Sequence, residues 1–429
     1  MDATTDLPTG DPRRGLSTMA RGLVGSEILR IAAEIRVKQA GGAVICNLTV
    51  GDFSSKEFPI PRALHEGTQR ALKAGETNYP PSDGVLRLRE AVRAFYKSRL
   101  QLDVPLESVV IAGGSRPIIY AAYQALIEPG DTVVYPVPSW NNNHYCHLSG
   151  ANQVTLVTRA EDGFLPTAAA IEPHLRSARL LALNSPLNPA GTVLSEDEVR
   201  RIGELVVAEN VRREQSGERP LYLLYDQVYW MLTFSGARHH TPTQLVPASA
   251  PYTIFVDGIS KAFASTGLRV GWGIGPPAVI AAMRDLLGHV GAWAPRAEQV
   301  ATAEFLRDEA EVERYHVEIV AGLRARLDKL YQGFAAMAAN GLPVRAIAPQ
   351  GAIYLSVQFD LAGKGRFRTN DEIRKYLLDA AGFAVVPFQA FGLAGENGWF
   401  RLSVGAVSLA DIEAALPRVE AALRRAHPG

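Results

Sequence analysis

The chain reads as an α/β protein with a mostly parallel central sheet, helices on both faces, and a smaller α+β domain. Three observations lead there. Between about residues 84 and 275, short apolar runs alternate with helical stretches. Those runs are apolar throughout, as strands covered on both faces are. Beyond a helix-rich stretch, a second set of strand-like and helical segments follows. The 429 residues, 47% of them hydrophobic, suffice for two or three domains.

Residues 1–16 are polar, with acids and prolines, and read as a mobile tail. From 23 to 40, Ile28, Leu29, Ala32 and Ile35 recur at helical spacing, and Gly41-Gly42 ends that helix. Strands are expected at 108–111, 132–135, 180–183, 221–225 and 253–256. A helix begins at Ser195, where Glu198 gives the spacing of a capping box. The stretch 299–340 is helical and carries the chain out of the sheet. Strands at 351–357 and 399–403 and helices at 371–381 and 408–426 form the second unit, completed by the N-terminal helix. The expected division is tail 1–16, first part of a small domain 17–60, large domain 61–305, and the rest of the small domain 306–429.

Composition excludes several classes. Lys+Arg and Asp+Glu both number 44, and no basic tract points to nucleic acid. Arg212-Arg213-Glu214 and Arg424-Arg425 read as solvated faces. Two cysteines, Cys46 and Cys146, make no disulfide framework and suit a reducing cytoplasm. The N-terminus lacks the apolar core of a signal peptide, and no run approaches the ~20 apolar residues of a membrane span. His239-His240 lack further metal ligands and are expected to be solvent-exposed. Gly271, Gly273 and Gly275 form a GxGxG without the βαβ context of a dinucleotide site, and read as strand packing.

The chemistry concentrates after strands. Ser260-Lys261, followed by Arg269, closes the run at 253–257. A lysine there suits covalent attachment of pyridoxal 5′-phosphate (PLP), with Ser260 and Arg269 toward its phosphate. PLP also needs an anion site, an acid at its pyridine nitrogen, donors to its phenolic oxygen, and a ring to stack on. Gly113-Gly114-Ser115-Arg116 stand between a strand and a helix, where free N–H groups and the helix dipole hold phosphate; Gly114, Ser115 and Arg116 are the candidates. Asp226 ends a buried strand, at the sheet edge where ligands of open α/β sheets collect, and would keep the pyridine nitrogen protonated. Tyr229 and Asn188 are candidate partners of the phenolic oxygen, and Trp140 of the ring. Arg401 lies within an apolar strand, and its fork fits a substrate α-carboxylate or an internal acid.

With these parts in this order, about residues 20 to 425 resemble the class I/II aminotransferases of PLP fold type I, the aspartate aminotransferase superfamily. Ser260-Lys261 to Arg269 is similar to the family's S-K-x-x-x-x-T-G-x-R-x-G segment, Asn188-Pro189-Ala190-Gly191 to N-P-T-G, Asp226 and Tyr229 to D-x-x-Y, and Arg401-Leu402-Ser403 to R-L-S. Gly51 resembles the glycine near the substrate carboxylate. Tyr79 resembles the tyrosine that reaches the neighbouring subunit's phosphate. The resemblance implies a PLP-dependent aminotransferase moving an amino group from an L-amino acid to a 2-oxo acid by ping-pong kinetics. Lys261, Asp226 and Tyr229 would be catalytic, and Gly51, Asn188 and Arg401 would bind substrate. It implies a homodimer with shared active sites. Ala190 replaces the usual threonine, and Val50-Gly51-Asp52-Phe53 lacks the proline common after that glycine; both bear on substrate preference. The fold type also hosts C–S β-lyases and other Cα-bond-cleaving enzymes. A PLP-sensing regulator is disfavoured, since the residues before the match cannot form a DNA-binding domain. Arg296 is a candidate for recognising a substrate's side-chain carboxylate.

Overall fold

The computed structural model describes residues 13–234 and 236–426, so most of the expected tail lies outside the described residues. Its centre is a seven-stranded sheet in the order Val109–Ala112, Gly271–Ile274, Thr253–Gly258, Tyr222–Asp226, Ala178–Asn184, Thr132–Val137, Asn152–Val157. Gly271–Ile274 runs antiparallel to both neighbours, and the remaining pairs are parallel.

Alternate strand residues point to opposite faces. Val110, Ala112, Val133 and Ile254 pack beneath helices Ser115–Leu126 and Pro277–Val290. Ile111, Leu181, Leu223 and Phe255 point the other way, into a core shared with Leu86–Leu100 and Glu196–Ser216. Each fully buried leucine or isoleucine contributes about 1.5–3 kcal/mol of burial. A separate antiparallel sheet joins Val386–Pro387, Trp399–Ser403, Tyr354–Phe359 and Val344–Ala346. Helices Glu309–Ala339, Asn370–Ala381 and Leu409–Ala426 flank it. The N-terminal helix packs here too: its Ile31 and Ile35 meet Leu378 and Ala384, and its Glu34 pairs with Arg374 at 2.9 Å.

Several expectations need correction. The helix expected over 23–40 begins at Glu27 and runs to Ala40, with 23–26 non-helical, and a separate short helix, Thr18–Gly22, precedes it. The edge strand Asn152–Val157, largely exposed, was not foreseen. Only half of the capping box forms: Ser195 Oγ accepts from Glu198 N, but the Glu198 carboxylate accepts instead from Ala168 N. A reciprocal box occurs at Thr369 and Glu372. Arg213 is buried, not solvated; it pairs with Glu209 and donates to the carbonyls of Leu175, Ala178 and Arg219. His239 is not exposed either. Its ring packs between Tyr225 and Trp230 while Nε2 bonds Gln227, and burial pushes its pKa down to about 3.

Candidate functional site

The C-terminal ends of the parallel strands open into a cavity of about 870 Å³. Four cations line it, Arg116, Lys261, Arg269 and Arg401, against two acids, Asp52 and Asp226. That imbalance calls for anionic ligands.

Lys261 lies one turn beyond strand Thr253–Gly258, on the short helix Ile259–Ala262. Its Nζ donates to the Gly51 carbonyl at 2.6 Å and sits 6.0 Å from the Tyr229 ring centre. Burial lowers its pKa to about 8; Asp52 opposes this, and the three arginines add to it. A lysine near neutrality is a usable nucleophile and base.

Gly114 precedes helix Ser115–Leu126 with φ +98°, a conformation glycine adopts without strain. Any Cβ there would run into the Arg269 guanidinium. Arg269 itself donates to the carbonyls of Thr266 (2.7 Å) and Gly113 (2.9 Å), stitching the lysine segment to the glycine turn. Gly271 is packed against the backbone of Gly114 and Ser115 as closely as the absence of a side chain permits. Ser115 and Ser260 line the cavity beside them. The glycine turn, the two hydroxyls and the Arg269 guanidinium thus gather at a helix N-terminus, a setting that suits an anion such as phosphate.

Asp226 ends strand Tyr222–Asp226. One oxygen accepts from Val228 N at 3.2 Å, and burial pushes its pKa up to about 7. A cationic ring nitrogen would restore its ordinary ionisation. Tyr229 Oη and Tyr354 Oη share a 2.6 Å hydrogen bond. Asn184 accepts from Asn188 N at 2.8 Å and fixes that turn. Trp140 lies at the mouth, with the Arg116 guanidinium 5.3 Å from its ring centre.

Arg401 is 1% exposed. Nη2 donates to the Thr49 carbonyl at 2.6 Å and Nη1 to Asn188 Oδ1 at 3.3 Å. The guanidinium lies 4.8 Å from both the Tyr354 and Phe391 ring centres. Nε has no partner, and no acid pairs with Arg401 among the described residues. The internal-acid alternative therefore fails.

Twelve of the fourteen residues singled out from sequence, counting Arg296, come together: Gly51, Ser115, Arg116, Trp140, Asn188, Asp226, Tyr229, Ser260, Lys261, Arg269 and Arg401 line this one cavity, and Gly114 adjoins it. Arg296 instead pairs with Glu76 outside it. The remaining one, Tyr79, is 82% exposed, with its ring against Trp293. Sequence reasoning missed Tyr354, Asp52 and Thr266, whose hydroxyl bonds the Asp52 carboxylate. Tyr354 sits in an expected strand, but nothing local marks it as facing Arg401.

The anion-suited turn, the half-buried Asp226 carboxyl, the lysine of lowered pKa and the arginine without an acid partner fit PLP and an amino acid together. The model of the family described as "Aminotransferase class I and II" matches residues 43–419. The chain is 31% identical over 408 residues to an aspartate aminotransferase of Rhizobium meliloti, covering 93% of this chain and 94% of that protein. The solved aspartate aminotransferase of Thermus thermophilus with maleate superposes with a TM-score of 0.85 at 28% identity, covering 96% of this chain and all of that one. An aromatic aminotransferase from Pyrococcus horikoshii superposes at 0.78 and 27% identity, over 89% of this chain and 96% of that one.

Proposed function

Since the chain belongs to the class I and II aminotransferases, which are PLP-dependent enzymes acting on amino and 2-oxo acids, we propose that the cavity described above is its active site and that an acidic L-amino acid is its donor. The observation that carries the reading is Arg401, a buried guanidinium with no acid partner, in the same cavity as Lys261. Bound PLP supplies an electron sink for negative charge at the Cα of an amino acid.

The chain's own residues do the rest. Gly114, Ser115, Arg116, Ser260 and Arg269 would hold the phosphate. Asp226 would pair with the pyridine nitrogen and keep its proton. Tyr229 and Asn188 would donate to the phenolic oxygen, and Trp140 would cover the ring. Arg401, oriented by Thr49 and Asn188, would fix the α-carboxylate. That would hold the Cα proton toward Lys261, whose free amine is placed to act as the general base that takes it. The acidic donor is supported by the names of the relatives, aspartate aminotransferases among them. We read the enzyme as a cytoplasmic homodimer in which exposed Tyr79 serves the partner's site.

The test is the visible spectrum of the purified protein, with and without single amino acids and no oxo acid. Loss of the PLP band to the pyridoxamine form with aspartate or glutamate, release of the matching oxo acid, and ping-pong kinetics are expected. Ammonia and pyruvate as products would replace this reading with a β-lyase. Lys261→Ala is expected to abolish turnover. A fully active monomer in size-exclusion chromatography would overturn the shared site.

A further inference from the structure

Behind the cavity, outside the residues that line it, lies a second buried acid. Asp257 is 2% exposed, four residues before Lys261. Its carboxylate accepts three hydrogen bonds, each 2.7 Å, from Tyr96 Oη, Trp230 Nε1 and Gly258 N. Tyr96 Oη in turn accepts from Trp272 Nε1 at 3.1 Å and Gln227 Nε2 at 3.3 Å. The main-chain carbonyl of Asp257 accepts from Ser115 Oγ at 3.2 Å.

The partners come from places that matter. Gln227 and Trp230 flank the turn that carries Asp226 and Tyr229. Gly258 begins the turn that carries Lys261. Ser115 opens the helix after the glycine turn. We infer that Asp257 is a positioning residue: its carboxylate clamps the Asp226–Tyr229 turn and the Lys261 turn to each other, fixing the orientation of the cofactor ring against the lysine. A carboxylate is the group this pocket fits, because every neighbour donates. Burial pushes its pKa up to about 7, against the pull of those donors. An amide offers one acceptor oxygen, and its NH₂ would oppose at least one donor whichever way it turns.

The inference rests on Asp226 and Lys261 facing PLP. A Lys261→Ala chain that still transaminates would remove that premise, whereas the experiment here removes only the clamp. The holoenzyme of Asp257→Asn is compared with Leu327→Ala, a core variant remote from the cavity, at matched loss of thermal stability. Expected for Asp257→Asn are an altered induced circular dichroism of bound PLP, PLP affinity weaker by about tenfold or more, and kcat down by about tenfold or more with KM for the donor within about threefold. Leu327→Ala is expected to change none of these. Should Asp257→Asn not fold, Tyr96→Phe removes a single donor and is expected to move the dichroism and kcat in the same direction, by about two- to fivefold in rate. A folded variant of either kind with unchanged dichroism, PLP affinity and kcat overturns the inference.

Discussion

Replacing Arg401 by glutamine tests the substrate end of the site most directly. A guanidinium has five N–H groups. In this structure one is used on the Thr49 carbonyl and one on Asn188, and Nε has no partner. Three remain for a carboxylate, in a place 1% exposed to solvent. Breaking a buried, hydrogen-bonded ion pair by removing one partner costs about 3–5 kcal/mol. At about 1.4 kcal/mol per factor of ten, kcat/KM for the amino donor is expected to fall about 10²- to 10⁴-fold. Glutamine can still serve the Thr49 carbonyl, and it removes a buried charge that has no counterion when substrate is absent. The melting temperature without substrate is therefore expected to hold or rise, while stabilisation by a saturating carboxylic acid ligand disappears. Steady-state kinetics and thermal melts of the PLP-loaded variant measure both. A fall in kcat/KM of less than about threefold, or a marked loss of stability without substrate, would refute the assignment of Arg401 to the α-carboxylate.

Three further outcomes follow from the geometry. Lys261 goes from 10.5 unfolded to about 8 folded. The unfolded chain thus binds more protons between those values, and stability of the PLP-free protein should rise as pH climbs from about 8 to 10.5. Lys261→Met should stabilise the PLP-free protein at pH 7 by at most ~3 kcal/mol, with the gain vanishing near pH 10.5 in denaturant titrations. Asp226→Asn removes the carboxylate proposed to pair with the pyridine nitrogen, and kcat measured with saturating PLP should drop about 10- to 100-fold or more. Gly114→Ala places a methyl group against the Arg269 guanidinium at φ +98°, so PLP affinity should weaken at least about tenfold while the donor's KM changes little.

Much of the site was legible because its residues lie just after strands, each within a short and unusual motif. The strand ends were less so. Strand 132–135 runs on through Pro136 to Val137, and 221–225 extends to Asp226. Proline, aspartate and asparagine are poor strand formers, so the ends at Pro136, Asp226 and Asn184 are held by pairing with neighbouring strands that local propensity does not show. The solvated reading of Arg213 failed because its partners are carbonyls up to 38 residues away, invisible to local charge pattern. His239 failed similarly: its packing partners are Tyr225 in the strand and Trp230 in the turn after it, 14 and 9 residues back, and the strand pattern alone does not fold the chain onto them. Tyr354 and Asp257 could not be found at all. Tyr354 reaches Tyr229 across 125 residues, and Tyr96 reaches Asp257 across 161.

The contact of Gly271 with Gly114 bears on how the enzyme can be altered. Gly258 is hemmed in by the Val270 carbonyl and Gly271 in the same way, so the glycine turn and the lysine strand both close backbone to backbone on Gly271. Neither side can accept a side chain without the other moving. Mutant libraries aimed at new donors should leave positions 114, 258 and 271 invariant. The lining positions Leu23, Val24, Asn141 and His144 are free of that constraint, and substrate range can be evolved there while the backbone seam stays untouched.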